Sequence, residues 1–369
     1  MEKEQKYKKN YYKFISIARG IGILLVVLGH CSNSYISNFI YLFHIPLFFF
    51  ISGFLFNLNS LKAPKEYVKR KIISLYVPYV FYEMLFLVLN NFLININFYS
   101  ISQNISGKSI GYLDFKMFLV KTIKIIFFAG REPIVGALWF LVVLFFVSIL
   151  FLIINLFLTK INKENDEKTR FLIFLSLFIF GNFLTRFGYT IPRFNNTLVM
   201  LFIYYLGFLT KTYFDKIKFE NTTMCIISII LLSVNYFYGS ISVNDNTYLS
   251  PDFLIVNTFL GVYAVFYLSK KIQKLKIGNF FEILGNNSLE IMALHIVAFK
   301  IASIFIIQIF DLNKDVLSNY PTILPINNIY TIIYLVFGIF LPLIFVKCYK
   351  FFKNILLNLK ILDNENMKK

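Results

Sequence analysis

Long apolar segments recur along the whole chain, separated by short polar and basic loops. A helix needs some 20 mostly apolar residues to cross about 30 Å of hydrocarbon. A shorter apolar segment, residues 115–129, holds three lysines and predicts an interfacial or re-entrant helix. About ten spans are predicted, at residues 14–32, 38–56, 72–94, 136–158, 171–188, 198–212, 224–239, 253–269, 281–310 and 329–346.

The composition agrees with this pattern, since 58% of the residues are hydrophobic and only 15% are charged. No ordinary soluble domain has this balance. The sequence therefore predicts an all-α integral membrane protein, a bundle of about ten transmembrane helices that has the lipid bilayer as its surroundings. The net charge of +18 comes from short basic blocks between apolar segments, so we expect no nucleic-acid partner. Three separated cysteines without a CxxC pair indicate neither a disulfide framework nor a metal site.

The basic residues also predict the orientation of the spans. With ten crossings, most of the Lys and Arg residues fall in the terminal segments and in every second loop. The positive-inside rule then places both termini in the cytoplasm. The predicted organisation is a basic N-terminus (1–13), one membrane domain (14–349) and a basic tail (350–369). Residues 238–252 contain no Lys or Arg and are predicted to lie outside.

The first span contains two ionisable residues, Arg19 and His30. A charge at the centre of a bilayer costs at least about 2.5 kcal/mol, so such residues usually serve a function. Eleven helical residues are about three turns, which places both side chains on one face about 16.5 Å apart. Acyl-coenzyme A, anionic at one end and long and thin, fits such a groove, and a neutral imidazole can act as a general base. The spacing alone equally allows a snorkelling arginine and a structural histidine.

Several motifs resemble the membrane-bound acyltransferase family 3, and within it the branch of fucose 4-O-acetylase-like sugar O-acetyltransferases. Arg19, ten residues and His30 form the first motif, and "FHIPLFFFISGFLF" in the second span forms the next. These two together are specific. Weaker matches extend the resemblance over most of the chain: "VKRKIISLYVPY", "GALWFLVVLFF" and "LGNNSLEIMALH".

The resemblance implies a membrane-bound O-acyltransferase of the bacterial cytoplasmic membrane. His30 would be its catalytic histidine, and Arg19 its essential partner that also contacts the donor. The donor would be acetyl-CoA or another short acyl-CoA, met from the cytoplasm, with no permanently bound cofactor and no metal. The acceptor would be a hydroxyl of a surface glycan or of a lipid-linked sugar precursor.

A basic turn before the third span is a further candidate for donor binding. Members of the family often carry an Arg-x-x-Arg pair before the proline of this span, whereas this chain has Lys71 and Ser74 before Pro78. We expect Lys69, Arg70 and Lys71 to contact the phosphates of coenzyme A. Lysine does so as a point charge and not as a bidentate fork.

Four further residues are expected to line the acceptor cavity: His44, Ser52, Trp139 and His295. His295 completes the "LGNNSLEIMALH" motif. Each of the others has a structural alternative. His44 could bond a carbonyl freed by Pro46. Ser52 belongs to a small pair suited to helix packing, and Trp139 could be an interfacial anchor.

Other functions are compatible with a polytopic membrane protein. A transporter or flippase for a glycan or lipid intermediate would also bury ionic residues, and a scaffold subunit of an envelope-polymer complex is a third alternative. Transport usually requires acids within the spans, and this chain has few there. The acyltransferase is therefore the leading prediction. The sequence leaves open whether the protein is a monomer or a homodimer.

Overall fold

The computed structural model describes residues 2–366, apart from 100–103, 106–107, 131, 165, 190, 192, 215–216, 218 and 319–320. Side chains are described between residues 13 and 351, with further gaps at 104–105, 108–109 and 318. The predicted basic segments 1–13 and 350–369 therefore lie almost wholly outside the described side chains.

The described residues form a helical bundle with two short antiparallel hairpins, β1–β2 (Asn104–Ile105 and Lys108–Ser109) and β3–β4 (Ile241–Ser242 and Thr247–Tyr248). The helices are α1 Glu2–Cys31, α2 Ser34–Tyr41, α3 His44–Phe54, α4 Pro64–Lys71, α5 Val77–Asn95, α6 Phe115–Ile126, α7 Trp139–Lys160, α8 Glu167–Arg186, α9 Phe194–Thr212, α10 Thr222–Tyr238, α11 Pro251–Ile272, α12 Lys276–Asn286, α13 Ser288–Ile309 and α14 Asn328–Asn366.

Within the described residues, 8 helical segments are long and apolar enough to cross a membrane, which confirms an all-α polytopic membrane protein. They coincide with eight of the predicted spans. Helices α9 and α10 occupy the other two predicted positions. Helix α9 is buried along nearly its whole length and so lies at the centre of the bundle.

Two predicted spans are interrupted. The segment 38–56 consists of α2 and α3, separated by a turn at Leu42 and Phe43. Pro46 lies in the first turn of α3, where its missing N–H does not remove a helical hydrogen bond. The segment 281–310 is divided at Asn287 into α12 and α13, and only α13 is long enough to cross the bilayer. The span predicted over 281–310 is therefore confirmed over α13, and it begins at Ser288.

Helices α1 and α12 cross at two glycines. A Cβ added to Gly20 would lie 1.9 Å from the carbonyl oxygen of Phe281, and one added to Gly285 would lie 1.8 Å from that of Ser16. No side chain fits at either position, so the two backbones approach each other closely. This contact holds the first span against the segment that leads directly into α13.

The third span contains an irregular turn at its basic end. Residues Ile72–Tyr76 form a π-helical turn between α4 and α5, directly after Lys71. Single π turns are rare and often occur at functional sites. The turn lies within the motif "VKRKIISLYVPY" that the family resemblance uses.

A short amphipathic helix, α6, occupies most of the predicted interfacial segment 115–129. Its 12 residues are too few to cross a bilayer. The Tyr76 hydroxyl donates to the carbonyl of Ile126 at 3.1 Å, which ties the end of α6 to the third span. Exposed apolar residues such as Phe115 and Ile123 suit a helix lying in the membrane interface, which stays a prediction.

Candidate active site

Arg19 and His30 both contact α13, as their shared helix face predicts. The Nη2 of Arg19 donates to the hydroxyl of Ser288 at 2.9 Å. Eleven residues further along α1, the His30 ring lies 5.1 Å from the His295 ring, centroid to centroid. One partner helix therefore contacts both ends of the predicted groove.

His30 lines a cavity of about 170 Å³ together with His44 and Trp139. Three residues predicted separately from the sequence therefore meet at one site. The spans supply most of the lining, both apolar and polar, and the β3–β4 hairpin supplies residues 241–244. The lining residues are Val26, His30, Tyr41, His44, Ile45, Phe48, Ala137, Trp139, Phe140, Ile241, Ser242, Val243, Asn244 and Met292.

The chain has 3 histidines, and all of them gather around this cavity. The His30 ring lies 6.2 Å from the ring of Tyr41, which stacks on His44 at 5.0 Å with an angle of 28°. His295 lies behind His30, with its side chain fully buried. Three separate spans thus supply one imidazole each.

Each imidazole is fixed by its own helix. The Nδ1 of His30 lies 2.8 Å from the carbonyl of Val26, and that of His44 lies 3.0 Å from the carbonyl of Ile40. Because a carbonyl can only accept, we assign the proton of each neutral ring to Nδ1. Nε2 then carries the lone pair, the state that a general base requires.

His295 follows the same rule, with Nδ1 at 2.8 Å from the carbonyl of Met292 and 3.1 Å from that of Ile291. Its Nε2 is buried and has no hydrogen-bond partner among the described residues. An unpaired buried acceptor is costly and calls for an explanation.

The β3–β4 hairpin covers the cavity from the side that the sequence predicts to be extracellular. Its strands are only two residues each. Hydrogen bonds that involve side chains of α8 and α9 hold the hairpin in place. The amide of Asn196 donates to the carbonyls of Val243 and Asn244 at 2.5 and 3.1 Å. The amide of Asn246 donates to the hydroxyl of Thr185 at 2.7 Å, and Tyr248 donates to Asn182.

Trp139 lines the cavity and is linked to the hairpin through Arg193. The guanidinium of Arg193 lies over its ring at 5.2 Å and donates to the side chain of Asn244 at 2.9 Å. Trp139 therefore has a cation on its ring as well as a place in the cavity wall. Part of its surface remains on the cavity, and its position relative to the membrane interface stays a prediction.

Positively charged side chains cluster around Arg19, at the end of the predicted groove away from His30. Lys71 lies within electrostatic range of Arg70 and Arg19, and both Arg70 and Lys71 lie over the ring of Tyr67, at 5.9 and 5.4 Å. Glu290, two residues after Ser288, lies within electrostatic range of Arg19. The basic turn of α4 and the arginine of α1 thus form one cationic region.

Two residues predicted to line the cavity, Ser52 and His295, are not among its lining residues. Lys69 and Arg70 are both exposed on α4, and their contact with the donor stays a prediction. Ser52 lies two turns along α3 from His44 and does not line the cavity. The adjacent Gly53 packs on α9, where an added Cβ would lie 1.8 Å from the carbonyl oxygen of Tyr204. The structure therefore favours the packing role for the Ser52–Gly53 pair.

Sequence reasoning missed three parts of the cavity: Tyr41, Met292 and the hairpin. The alternation of Ile241 and Val243 with polar residues, followed by "NDNT", is a hairpin signal that could have been used. Nothing in the sequence indicates that Tyr41 stacks on His44, because the turn at Leu42 and Phe43 places it there.

The fold and this site define a polytopic membrane protein with a histidine-lined cavity in its helical bundle. A family model described as an acyltransferase domain matches residues 12–347, which is nearly the whole chain. The chain belongs to this acyltransferase family, acyltransferase family 3. No curated protein and no solved structure matches the chain significantly.

Proposed function

We propose that the protein transfers an acetyl or other short acyl group from acyl-CoA to a hydroxyl of a surface glycan or of a lipid-linked sugar. One observation carries the proposal. His30 has a cavity on one side, a backbone carbonyl fixing its Nδ1 at 2.8 Å, and on its own helix the arginine of a cationic region. Family membership supports acyl transfer in general.

The cationic region is suited to the donor. Arg19, Arg70 and Lys71 can contact the phosphates of coenzyme A, and the distance of about 16.5 Å along α1 matches a long thin arm reaching toward His30. The hydrogen bond from Arg19 to Ser288 leaves other N–H groups of the guanidinium to bind a phosphate.

The imidazole of His30 performs the proton transfer. Its Nε2 takes the proton of the acceptor hydroxyl as the oxygen attacks the thioester carbonyl. The new bond joins the acceptor oxygen to the acyl carbon, the carbon–sulfur bond breaks, and the thiolate of coenzyme A leaves. The thiolate then takes the proton from His30, which restores the neutral ring.

The acceptor is suited to the hairpin side of the cavity. Trp139 offers an aromatic surface for a sugar ring, and polar groups of the hairpin lie beside it. The apolar lining residues Val26, Phe48 and Met292 exclude water, which protects the thioester from hydrolysis.

The test uses purified full-length protein in nanodiscs with acetyl-CoA labelled in the acetyl group, and cell-envelope glycans as acceptors. We expect label in the glycan, released by mild base as an ester, and its loss in His30→Gln. Asn235→Ala, which alters an amide contact between α10 and α11, is the matched control and should transfer label normally. A folded native protein that neither binds nor consumes acetyl-CoA contradicts the proposal and favours transport.

A further inference from the structure

A second cavity, of about 240 Å³, opens on the outside of the bundle and is lined by residues of α3, α9, α10 and α11. Helix α10 buries only three of its 17 residues and packs on α11, so it lies at the periphery. Phe50 of α3 lies at the bottom of the cavity and is fully buried, whereas Met224 and Phe259 are 51% and 41% exposed. The cavity is therefore open to the medium that surrounds the helices.

This cavity offers little to a water molecule. Most of its lining is apolar, and its hydroxyls donate to backbone carbonyls, as Thr210 does to Leu206 at 2.8 Å and Tyr263 to Asn221 at 3.4 Å. A buried water needs about two to four polar partners, and apolar cavities without them stay dry. The other medium around a membrane-spanning helix is lipid hydrocarbon. The cavity is therefore suited to an acyl chain.

Polar groups continue from the cavity along one face of α11. Tyr263, Tyr267 and Lys271 follow one another at intervals of four residues, so their side chains lie on the same face of the helix. The hydroxyl of Tyr267 lies 2.8 Å from that of Thr222, the first residue of α10, and this hydroxyl pair is exposed. The ammonium of Lys271 lies over the Tyr267 ring at 5.4 Å. An apolar cavity, a hydroxyl pair and a cation therefore follow one another in that order.

Lys271 is available to bind an anion. Its neighbour Lys270 is paired with Glu220 at 3.6 Å and lies over the ring of Phe214 at 4.8 Å. Lys271 itself is exposed, and no carboxylate in the described part of the chain pairs with it. This end of α11 lies on the side that the sequence predicts to be cytoplasmic, where the leaflet contains anionic lipids. The charge of Lys271 therefore complements the headgroup of such a lipid.

We propose that this cavity and Lys271 form a binding site for an anionic phospholipid of the cytoplasmic leaflet. One acyl chain enters the cavity, the glycerol esters lie at the hydroxyls of Thr222 and Tyr267, and the phosphate contacts the ammonium of Lys271. The order of groups along the site matches the order of groups along the lipid. The inference does not rest on the proposed function, because this cavity and the cavity of His30 share no lining residue.

The test uses full-length protein in phosphatidylcholine nanodiscs that contain a small fraction of one photoreactive lipid. The probe is phosphatidylglycerol with a diazirine in one acyl chain, and phosphatidylcholine with the same chain is the matched probe. After photolysis, peptide mass spectrometry locates the label. We expect phosphatidylglycerol to label the cavity residues Met224, Phe259 and Tyr263 several-fold more than phosphatidylcholine does. The two probes should label the exposed apolar residues Ile332 and Phe340 of α14 equally.

Two variants test the charge. Lys271→Gln removes the cation and leaves the cavity intact, and Lys168→Gln, which removes an exposed lysine of α8 on the same predicted side, is the matched control. We expect Lys271→Gln to lower labelling of the cavity by phosphatidylglycerol about fivefold, and Lys168→Gln to leave it at the native level. Four results overturn the inference: no label at the cavity, equal labelling there by both probes, native labelling in Lys271→Gln, or an equal loss in Lys168→Gln.

Discussion

The guanidinium of Arg19 donates to the hydroxyl of Ser288 at 2.9 Å, and Ser288 is the first residue of the helix that carries His295. Arg19 and His30 thereby both contact α13. Because both helices are regular between these contacts, the separation between the cationic region and the imidazole pair is fixed. A substrate that contacts both regions would have to match this separation.

The hydroxyl of Ser288 should orient Arg19 for donor binding. Ser288→Ala removes one hydrogen bond to a charged group, worth about 1.5 kcal/mol, so coenzyme A affinity should fall about tenfold. Isothermal titration of coenzyme A into nanodisc-embedded protein measures this affinity. Ser228→Ala, which removes a hydroxyl that donates to the carbonyl of Met224 in its own helix, is the control. Native affinity in Ser288→Ala would show that Arg19 needs no such support.

In the basic turn of α4, only a positive charge close to Arg19 should contribute to coenzyme A binding. Lys71→Ala removes a cation within electrostatic range of Arg19, whereas Lys69→Ala removes an exposed one. We expect Lys71→Ala to weaken coenzyme A binding several-fold more than Lys69→Ala, and the difference to shrink at high salt. The same titration at two salt concentrations measures this. Equal effects of the two variants would place the donor phosphates along the outside of α4.

The glycine crossing of α1 and α12 should be intolerant of any side chain. Gly285→Ala places a Cβ on the backbone of α1, which must move, at a cost of about 1 to 3 kcal/mol. Thermal unfolding in detergent should therefore begin several degrees lower. Gly111→Ala meets nothing within 4 Å and provides the control. An unchanged melting temperature in Gly285→Ala would mean that the two helices are not in contact.

The β3–β4 hairpin should contribute to acceptor binding and not to donor binding. Asn196→Ala removes the two hydrogen bonds that hold Val243 and Asn244 over the cavity. We expect a higher KM for the acceptor glycan, while coenzyme A affinity stays native. Kinetics with the acceptor varied at saturating acetyl-CoA measure this. If instead donor affinity falls and acceptor KM is native, the donor and not the acceptor occupies the hairpin side.

Local patterns were sufficient to predict the spans and the shared face of Arg19 and His30. Both depend on helical period and on hydropathy, which neighbouring residues determine. Resemblance to family motifs placed Trp139 and His295 in the cavity; Trp139 lines it, whereas His295 lies behind His30. These predictions needed no knowledge of which helices pack together.

The rest depends on contacts between distant segments. The helix break at Leu42 and Phe43 brings Tyr41 onto His44, and Pro46 suggested only that the span is perturbed somewhere. Asn287 ends α12 inside an apolar run that hydropathy alone joins to α13. Ser52 has suitable chemistry, but α3 packs on α9 at the adjacent Gly53, and Ser52 does not line the cavity. Hydropathy does not report packing partners, so sequence alone could not separate these cases.

The most direct test of the account measures donor binding and turnover in the same preparations of native protein, Arg19→Ala and His30→Ala. Arg19 is assigned to donor binding and His30 to proton transfer. We expect Arg19→Ala to lose coenzyme A affinity, and His30→Ala to bind coenzyme A normally but to transfer no acetyl group. If His30→Ala still transfers acetyl groups at the native rate, His30 is not the base and the account fails.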